Sequence, residues 1–232
     1  QEADILIVNT CAFIQSAKEE SITTVLNMAD YKESGRCRSL IVAGCLGQRY
    51  KQELLDELPE ADAILGTGAW SRIMEAVEET LKGNRVVIAG EDDTLYDGKT
   101  PRITTTPDYT AYVKIAEGCD NHCTYCIIPY ARGPVRSLPL EEAVRQTEQL
   151  RREGYREVVF TGIEISSWGQ DFKDGRSLID LLEAVSQAAG EMRLRLGSLE
   201  PRTVTEDFCR RAARLPNLCP QFHLSMQSGC DA

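Results

Sequence analysis

The sequence predicts an α/β fold in two parts: a doubly wound parallel-sheet domain over residues 1–89, then a run of strand–helix units over 111–232. Three observations carry this. Short apolar runs rich in β-branched residues recur (DILIV from Asp4, SLIVA from Ser39, AIL from Ala63), and a segment of helical character follows each, as parallel strands require. The alternation resumes at Ala111, with strands expected at about 111–116, 157–161, 193–197 and 222–226. Between the two parts, residues 90–110 (GEDDTLYDGKTPRITTTPDYT) are rich in Asp, Thr, Gly and Pro without apolar periodicity, which reads as an interdomain linker.

In the first part, Asp4 to Val8 reads as a strand, with Asn9, Thr10 and Cys11 at its C-terminal end. Ser16 and Glu19 have the spacing of a capping box, and Ile22, Val25, Leu26 and Ala29 recur at helical intervals behind them. The second strand, Ser39 to Ala43, ends at Gly44-Cys45, and a helix at about Tyr50 to Leu58 stops at Pro59. The third unit is a strand at Ala63 to Leu65, a Gly66-Thr67-Gly68 turn and a helix from Trp70 to Lys82 that Gly83 can cap. A lone GxG of this kind is a helix-entry turn more readily than a phosphate loop, and no chemistry is assigned to it. In doubly wound sheets ligands gather at the carboxyl ends of strands, where Cys11 and Cys45 both fall. Taken alone, two such cysteines also suit small core positions. In the second part, helices are expected at Leu140 to Glu153, Leu178 to Ala189 and Glu206 to Arg214, closed by Gly154, Gly190 and Pro216.

With 232 residues, 42% hydrophobic and 27% charged, the chain suffices for one large or two small domains. No apolar run approaches the roughly 20 residues of a membrane span, and no signal sequence opens the chain, so a cytoplasmic location is expected. Gln1 and Ala232 both read as cut ends. Nine cysteines, an odd number without the density of a secreted scaffold, favour reduced thiols and metal ligation over disulfides. A net charge of -10 from 26 basic and 36 acidic residues argues against a phosphate-gripping surface. DNA is not an expected partner, and an RNA substrate would call for a separate basic module.

The densest chemistry lies in YVKIAEGCDNHCTYCIIPYARGPVRS, residues 112–137. Cys119, Cys123 and Cys126 form a CxxxCxxC in the loop after the alternating strand Tyr112, Val113, Ile115. Soft thiolates gathered this closely suit zinc or an iron–sulfur cluster. A four-iron cluster held by only three of them keeps one iron open to a reactant. Structural zinc needs a fourth ligand, and His122 and His223 are the only histidines. A thioredoxin-like CxxC would open a helix, whereas Ile-Ile-Pro after Cys126 reads as no helix start.

At these residues the chain resembles the radical S-adenosylmethionine (SAM) enzymes, and the longer pattern EGCxxxCxYCIIPxxRGxxRS is similar to the methylthiotransferases. The resemblance implies a partial six-stranded βα barrel, of which 111–232 would hold the first four strands and is therefore truncated. It implies a 4Fe-4S cluster on Cys119, Cys123 and Cys126 whose free iron binds SAM. An electron donor would then drive cleavage to a 5′-deoxyadenosyl radical, which abstracts hydrogen from an unactivated carbon. Implied SAM contacts are Tyr125 in the cysteine loop, Gly162 and Glu164 in TGIE, Ser198 and Glu200 after the third strand and Gln227 after the fourth. Arg132 and Arg136 are candidates for carboxylate or phosphate, and no residue is assigned as catalytic. NTC after one strand and GC after the next resemble the N-terminal domain of the same family. There Cys11 and Cys45 would join an earlier cysteine in a second 4Fe-4S cluster. That cysteine belongs to a first strand–loop unit absent here, so the N-terminal domain is read as incomplete. Cys37 follows a helix and does not substitute, while Cys209, Cys219 and Cys230 read as core or surface thiols.

Two kinds of methylthiotransferase are resembled. NTCAFIQSAKEESI, GCLGQRYKQELL and KIAEGC are similar to the type acting on an aspartate of a small-subunit ribosomal protein. YARGPVRS, TGIEISSWG, LGSLEPR and LCPQFHLSMQSGCDA are similar to the type acting on threonylcarbamoyladenosine beside the tRNA anticodon. Because barrel loops surround substrate, tRNA is the expectation, with the ribosomal protein as alternative. A non-catalytic zinc-binding interaction module is the alternative of another class.

Overall fold

In a computed structural model, residues 2–90 and 107–230 are described. They divide into two compact units, Gln1–Thr94 with Asn121–Gly133, and Leu95–Asp120 with Pro134–Ala232.

The first unit holds a four-stranded parallel sheet ordered β1 (Ile5–Thr10), β2 (Ser39–Gly44), β3 (Ala63–Leu65) and β4 (Val86–Ile88). Every residue of β2 is buried, as a central parallel strand covered on both faces must be. Its alternation divides the core: Leu40 and Val42 pack with Val25, Leu46, Leu54 and Ile64, while Ile41 and Ala43 pack with Leu65, Ala76, Val77 and Ile88. The covering helices are α1 (Gln15–Ala29), the short α2 (Tyr31–Ser34), α3 (Cys45–Glu57) and α4 (Ile73–Leu81).

Three sequence expectations need correction here. Ser16 caps nothing, because α1 begins one residue earlier: Ile14 is the N-cap without a side-chain bond, and Gln15 instead donates to Glu19 at 2.9 Å. On α1, Val25 is fully buried but Ile22 and Leu26 are partly exposed. The second helix starts at Cys45 rather than near Tyr50, since Gly44 at φ 104° turns the chain straight from β2 into α3; a kink at Lys51 (φ 47°) divides it. Strand β4 was not expected from the sequence; Val86–Ile88 is a strand through its parallel pairing with β3. Gly83, at φ +89°, follows α4 as expected.

The first unit also contains α5 (Ile128–Arg132), so a helix does start just after the cysteine loop. Pro129 sits in its first turn, where a missing N–H costs no helical bond.

The second unit is a sheet ordered β6 (Arg136–Ser137), β5 (Thr110–Glu117), β7 (Glu157–Gly162) and β8 (Arg193–Leu196), parallel except for β6. Helices α6 (Leu140–Arg152), α7 (Leu178–Ala189) and α8 (Glu206–Ala212) alternate with it. This curled, half-barrel sheet keeps the predicted α/β class. Val113, Ile115, Phe160 and Leu194 pack with Leu181, Leu182 and the fully buried Trp168, whose Nε1–H donates to the Leu138 carbonyl at 2.9 Å. The fourth strand expected at 222–226 is reduced to one bridge, Leu199 with Leu224. Phe222, Leu224 and Met226 are exposed there, so little apolar burial holds that segment in a ladder. Of the linker expected at 90–110, residues 91–106 lie outside the described residues, and Thr110 already belongs to β5. No helix of the described residues is long and apolar enough to cross a membrane.

Candidate active site

The three motif cysteines occupy the loop at the carboxyl end of β5, the strand at which a parallel α/β sheet places reacting groups. Gly118, at φ +76°, turns the chain out of the strand immediately before Cys119. Cys123 and Cys126 form a tight turn, the Cys126 N–H donating to the Cys123 carbonyl at 2.9 Å. All three are half-buried, and none of the nine cysteines of the chain is in a disulfide.

Neither histidine completes a metal site: His122 meets the Tyr130 ring edge-on and His223 Nδ1 shares a 2.8 Å hydrogen bond with Ser198 Oγ. Among the described residues no three His, Cys, Asp or Glu side chains converge on one point, as a single ion would require. A cubane cluster is bound at separate iron corners and asks for less convergence. Three half-buried thiols within eight residues fit a 4Fe-4S cluster with one open iron in donor chemistry.

Within the second unit the strand ends converge on a polar cluster. Gly162 pairs in register with Ala116, just after a bulge in β5, and the next N–H, of Ile163, donates to the Ala116 carbonyl at 3.2 Å. A Cβ on Gly162 would lie 2.4 Å from that carbonyl oxygen, so glycine is required for the strands to close. Glu164, buried, caps the turn after β7 by accepting from the Ser166 N–H at 2.9 Å. Ser166 Oγ in turn accepts from the Glu200 N–H at 2.9 Å, tying the loop after β7 to the loop after β8. Arg202 stands between the two carboxylates, 2.5 Å from Glu200 Oε2 and 3.8 Å from Glu164 Oε2. Burial, and next the nearby charge of Glu164, push the Glu200 carboxyl above the usual carboxylate range against the pull of Arg202.

Of the sequence-predicted SAM contacts, the structure joins Glu164 and Glu200, puts Gly162 beneath them as a packing requirement and holds Ser198 on His223. Gln227 lies in the exposed segment after Leu224, in left-handed backbone at φ 63°. Tyr125 is exposed, in the first unit. Ser166, Arg202 and His223 are the connections that sequence reading missed as a group. All three stood within quoted motifs, but nothing local said what they would touch.

At the N-terminal sheet, Thr10 and Gly44 pair in register, so Cys11 and Cys45 follow neighbouring strand ends. Gly44 permits this closeness, since a Cβ there would lie 2.6 Å from the Thr10 carbonyl. The Cys11 N–H donates to Ser21 Oγ at 3.1 Å, and Cys45 opens α3. Cys11 is exposed and Cys45 half-buried, whereas Cys37 is buried with its thiol on the Ser39 carbonyl at 3.3 Å.

Residues 113–232 match the radical SAM superfamily and residues 1–66 match the Uncharacterized protein family UPF0004. The chain is 42% identical over 98% of its length to the ribosomal protein uS12 methylthiotransferase RimO of Pelotomaculum thermopropionicum and 46% identical over 97% to that of Desulforamulus reducens. It spans about half, 51%, of each. A solved radical SAM methyltransferase, TsrM from Kitasatospora setae with cobalamin and a [4Fe-4S] cluster bound, shares the fold at a TM-score of 0.58 and 13% identity, over 92% of this chain and 47% of that one. Fold and cysteine loop thus define a radical SAM protein. The chain belongs to the radical SAM superfamily, and over nearly its whole length it is similar to methylthiotransferases.

Proposed function

We propose that this chain supplies the SAM-binding half-barrel and the sulfur-handling N-terminal domain of a methylthiotransferase acting on ribosomal protein uS12. The observation that carries the reading is the set of three accessible cysteines in the loop at the end of β5. A 4Fe-4S cluster there would supply the electron for reductive cleavage of SAM bound at its open iron. The residues of the chain bind and orient. Cys119, Cys123 and Cys126 are the anionic ligands. Glu164 and Glu200, held at fixed spacing by Ser166 and Arg202, offer paired acceptors for a cationic amino group, whose charge would offset the burial and the Glu164 repulsion that together raise the Glu200 pKa. Ser198, Gln227 and Tyr125 remain proposed contacts to the rest of SAM. Cys11 and Cys45 suit part of a second cluster, with a further ligand from outside this pair.

For substrate, we take the ribosomal protein over the tRNA favoured by the barrel-loop motifs. The relatives named for uS12 are similar across both units at 42% and 46% identity, and the net charge of -10 does not favour RNA. The deciding experiment uses the chain extended to the length of these relatives, reconstituted anaerobically with SAM, reductant and a sulfur source. Methylthio-aspartate on uS12 by mass spectrometry is expected; modification of threonylcarbamoyladenosine in tRNA with unmodified uS12 would reverse the assignment.

A further inference from the structure

We propose that Thr67 is a positioning residue for the cysteine loop: its hydroxyl pins α5 and so fixes Cys123 and Cys126. The inference rests on the proposed function only in what those cysteines hold. Thr67 Oγ1 donates to the Ala131 carbonyl at 2.9 Å, across 64 residues of sequence and within the first unit. Ala131 is 1% exposed and Thr67 half-buried, so this bond is partly shielded from water. Helix α5 has only five residues and begins two residues after Cys126, and so short a helix is not stable by its own hydrogen bonds. What orders it is tertiary contact, and α3 packs directly against it.

The same turn continues toward the other cysteine pair. Gly66 lies against Gln48 of α3, whose Oε1 is 2.1 Å from the place a Gly66 Cβ would take. Gln48 is three residues, about one turn, from Cys45 at the start of α3. A short chain of contacts therefore runs from Cys45 along α3 to Gly66-Thr67, and through Thr67 to Ala131 and the turn that carries Cys123 and Cys126. The GTG segment, which resembled a phosphate loop only by its glycines, holds protein backbone instead.

The test compares Thr67→Val, which keeps the shape and removes the donor, with Thr67→Ser, which keeps the donor. In the metal-free chain, amide hydrogen exchange of Tyr130, Ala131 and Gly133, which bond within α5, should quicken about fivefold in Thr67→Val, as loss of one net hydrogen bond implies. Alkylation of Cys123 and Cys126 should quicken with it, while amides of β2 and β3 stay protected. Thr67→Ser should restore wild-type values, and iron bound per chain after reconstitution should fall in Thr67→Val alone. Unchanged α5 exchange in Thr67→Val, an equal effect in Thr67→Ser, or uniform quickening throughout the unit would each overturn the proposal. Should Thr67→Val not fold, Thr67→Ala is read by the same criteria. If the wild-type chain binds no iron, the proposed function fails, yet the exchange data still decide whether Thr67 holds α5.

Discussion

Replacing Gly162 by alanine tests the strand closure on which the carboxylate cluster stands. The new Cβ would sit 2.4 Å from the Ala116 carbonyl oxygen and 2.9 Å from Ile165 Cγ2. Both neighbours are committed: the carbonyl accepts the Ile163 N–H, and Ile165, 2% exposed, lies in the core. Relief requires β5 and β7 to separate, an overpacking cost of about 1–3 kcal/mol. Reduced unfolded-state freedom returns only about 0.4–1 kcal/mol. Gly197, at the corresponding end of β8, is the internal control. A Cβ there would come no nearer than 3.3 Å to the Phe160 carbonyl, so the entropic gain should roughly cancel the contact. In urea, with a slope of about 2 kcal/mol/M, Gly162→Ala should lower the midpoint by about 0.5–1 M and Gly197→Ala by far less. Gly162→Ala should also weaken SAM binding to the reconstituted chain, because Glu164 follows two residues later. A wild-type midpoint in Gly162→Ala, or equal losses in the two variants, would refute the close approach of β5 and β7.

Single replacement of Cys119, Cys123 or Cys126 by alanine should abolish reductive formation of 5′-deoxyadenosine, since a methyl cannot replace an anionic ligand; undiminished product from any of the three would sink the ligand set. Arg211 donates to Glu183 at 2.8 and 2.6 Å and to Asp180 at 2.6 Å, linking α8 to α7, so Arg211→Met should destabilise by about 1 kcal/mol in chemical denaturation. For Glu183 the Arg211 hydrogen bonds lower the pKa; for Asp180 burial pushes upward and is outweighed by bonds from Arg211 and Ser177. Both carboxyls thus bind protons less readily folded than unfolded, so their stabilisation is full above about pH 4.5 and fades as pH falls, a fade that Arg211→Met should flatten. Burial, opposed by Arg195 and Arg193, pushes the Cys219 thiol above its usual range, so alkylation followed by mass spectrometry should mark exposed Cys209 and Cys230 well before Cys219.

The sequence by itself determined the alternation of strands and helices, the strand at Ala63–Leu65 to the residue, and the cysteine loop beyond β5. These are local properties: side-chain period, turn residues and ligand spacing are all written within about ten residues. Helix starts were less legible. Ser16 has the right neighbour three residues on, but a cap also needs a helix that begins next to it, and the turn out of β1 sets that start at Gln15. Only the tertiary structure decided what meets at distance. Glu164 and Glu200 come together because β7 and β8 pair in parallel, Glu157 with Arg193 through Phe160 with Leu196, which brings two carboxyl ends to one place. Thr67 finds Ala131 because β3 delivers its turn to α5, with no mark of that partnership in the residues near either one. Conversely, the apolar alternation at 222–226 was legible yet produced a single bridge with Leu199, since a strand forms only where a neighbour supplies both a ladder and apolar cover.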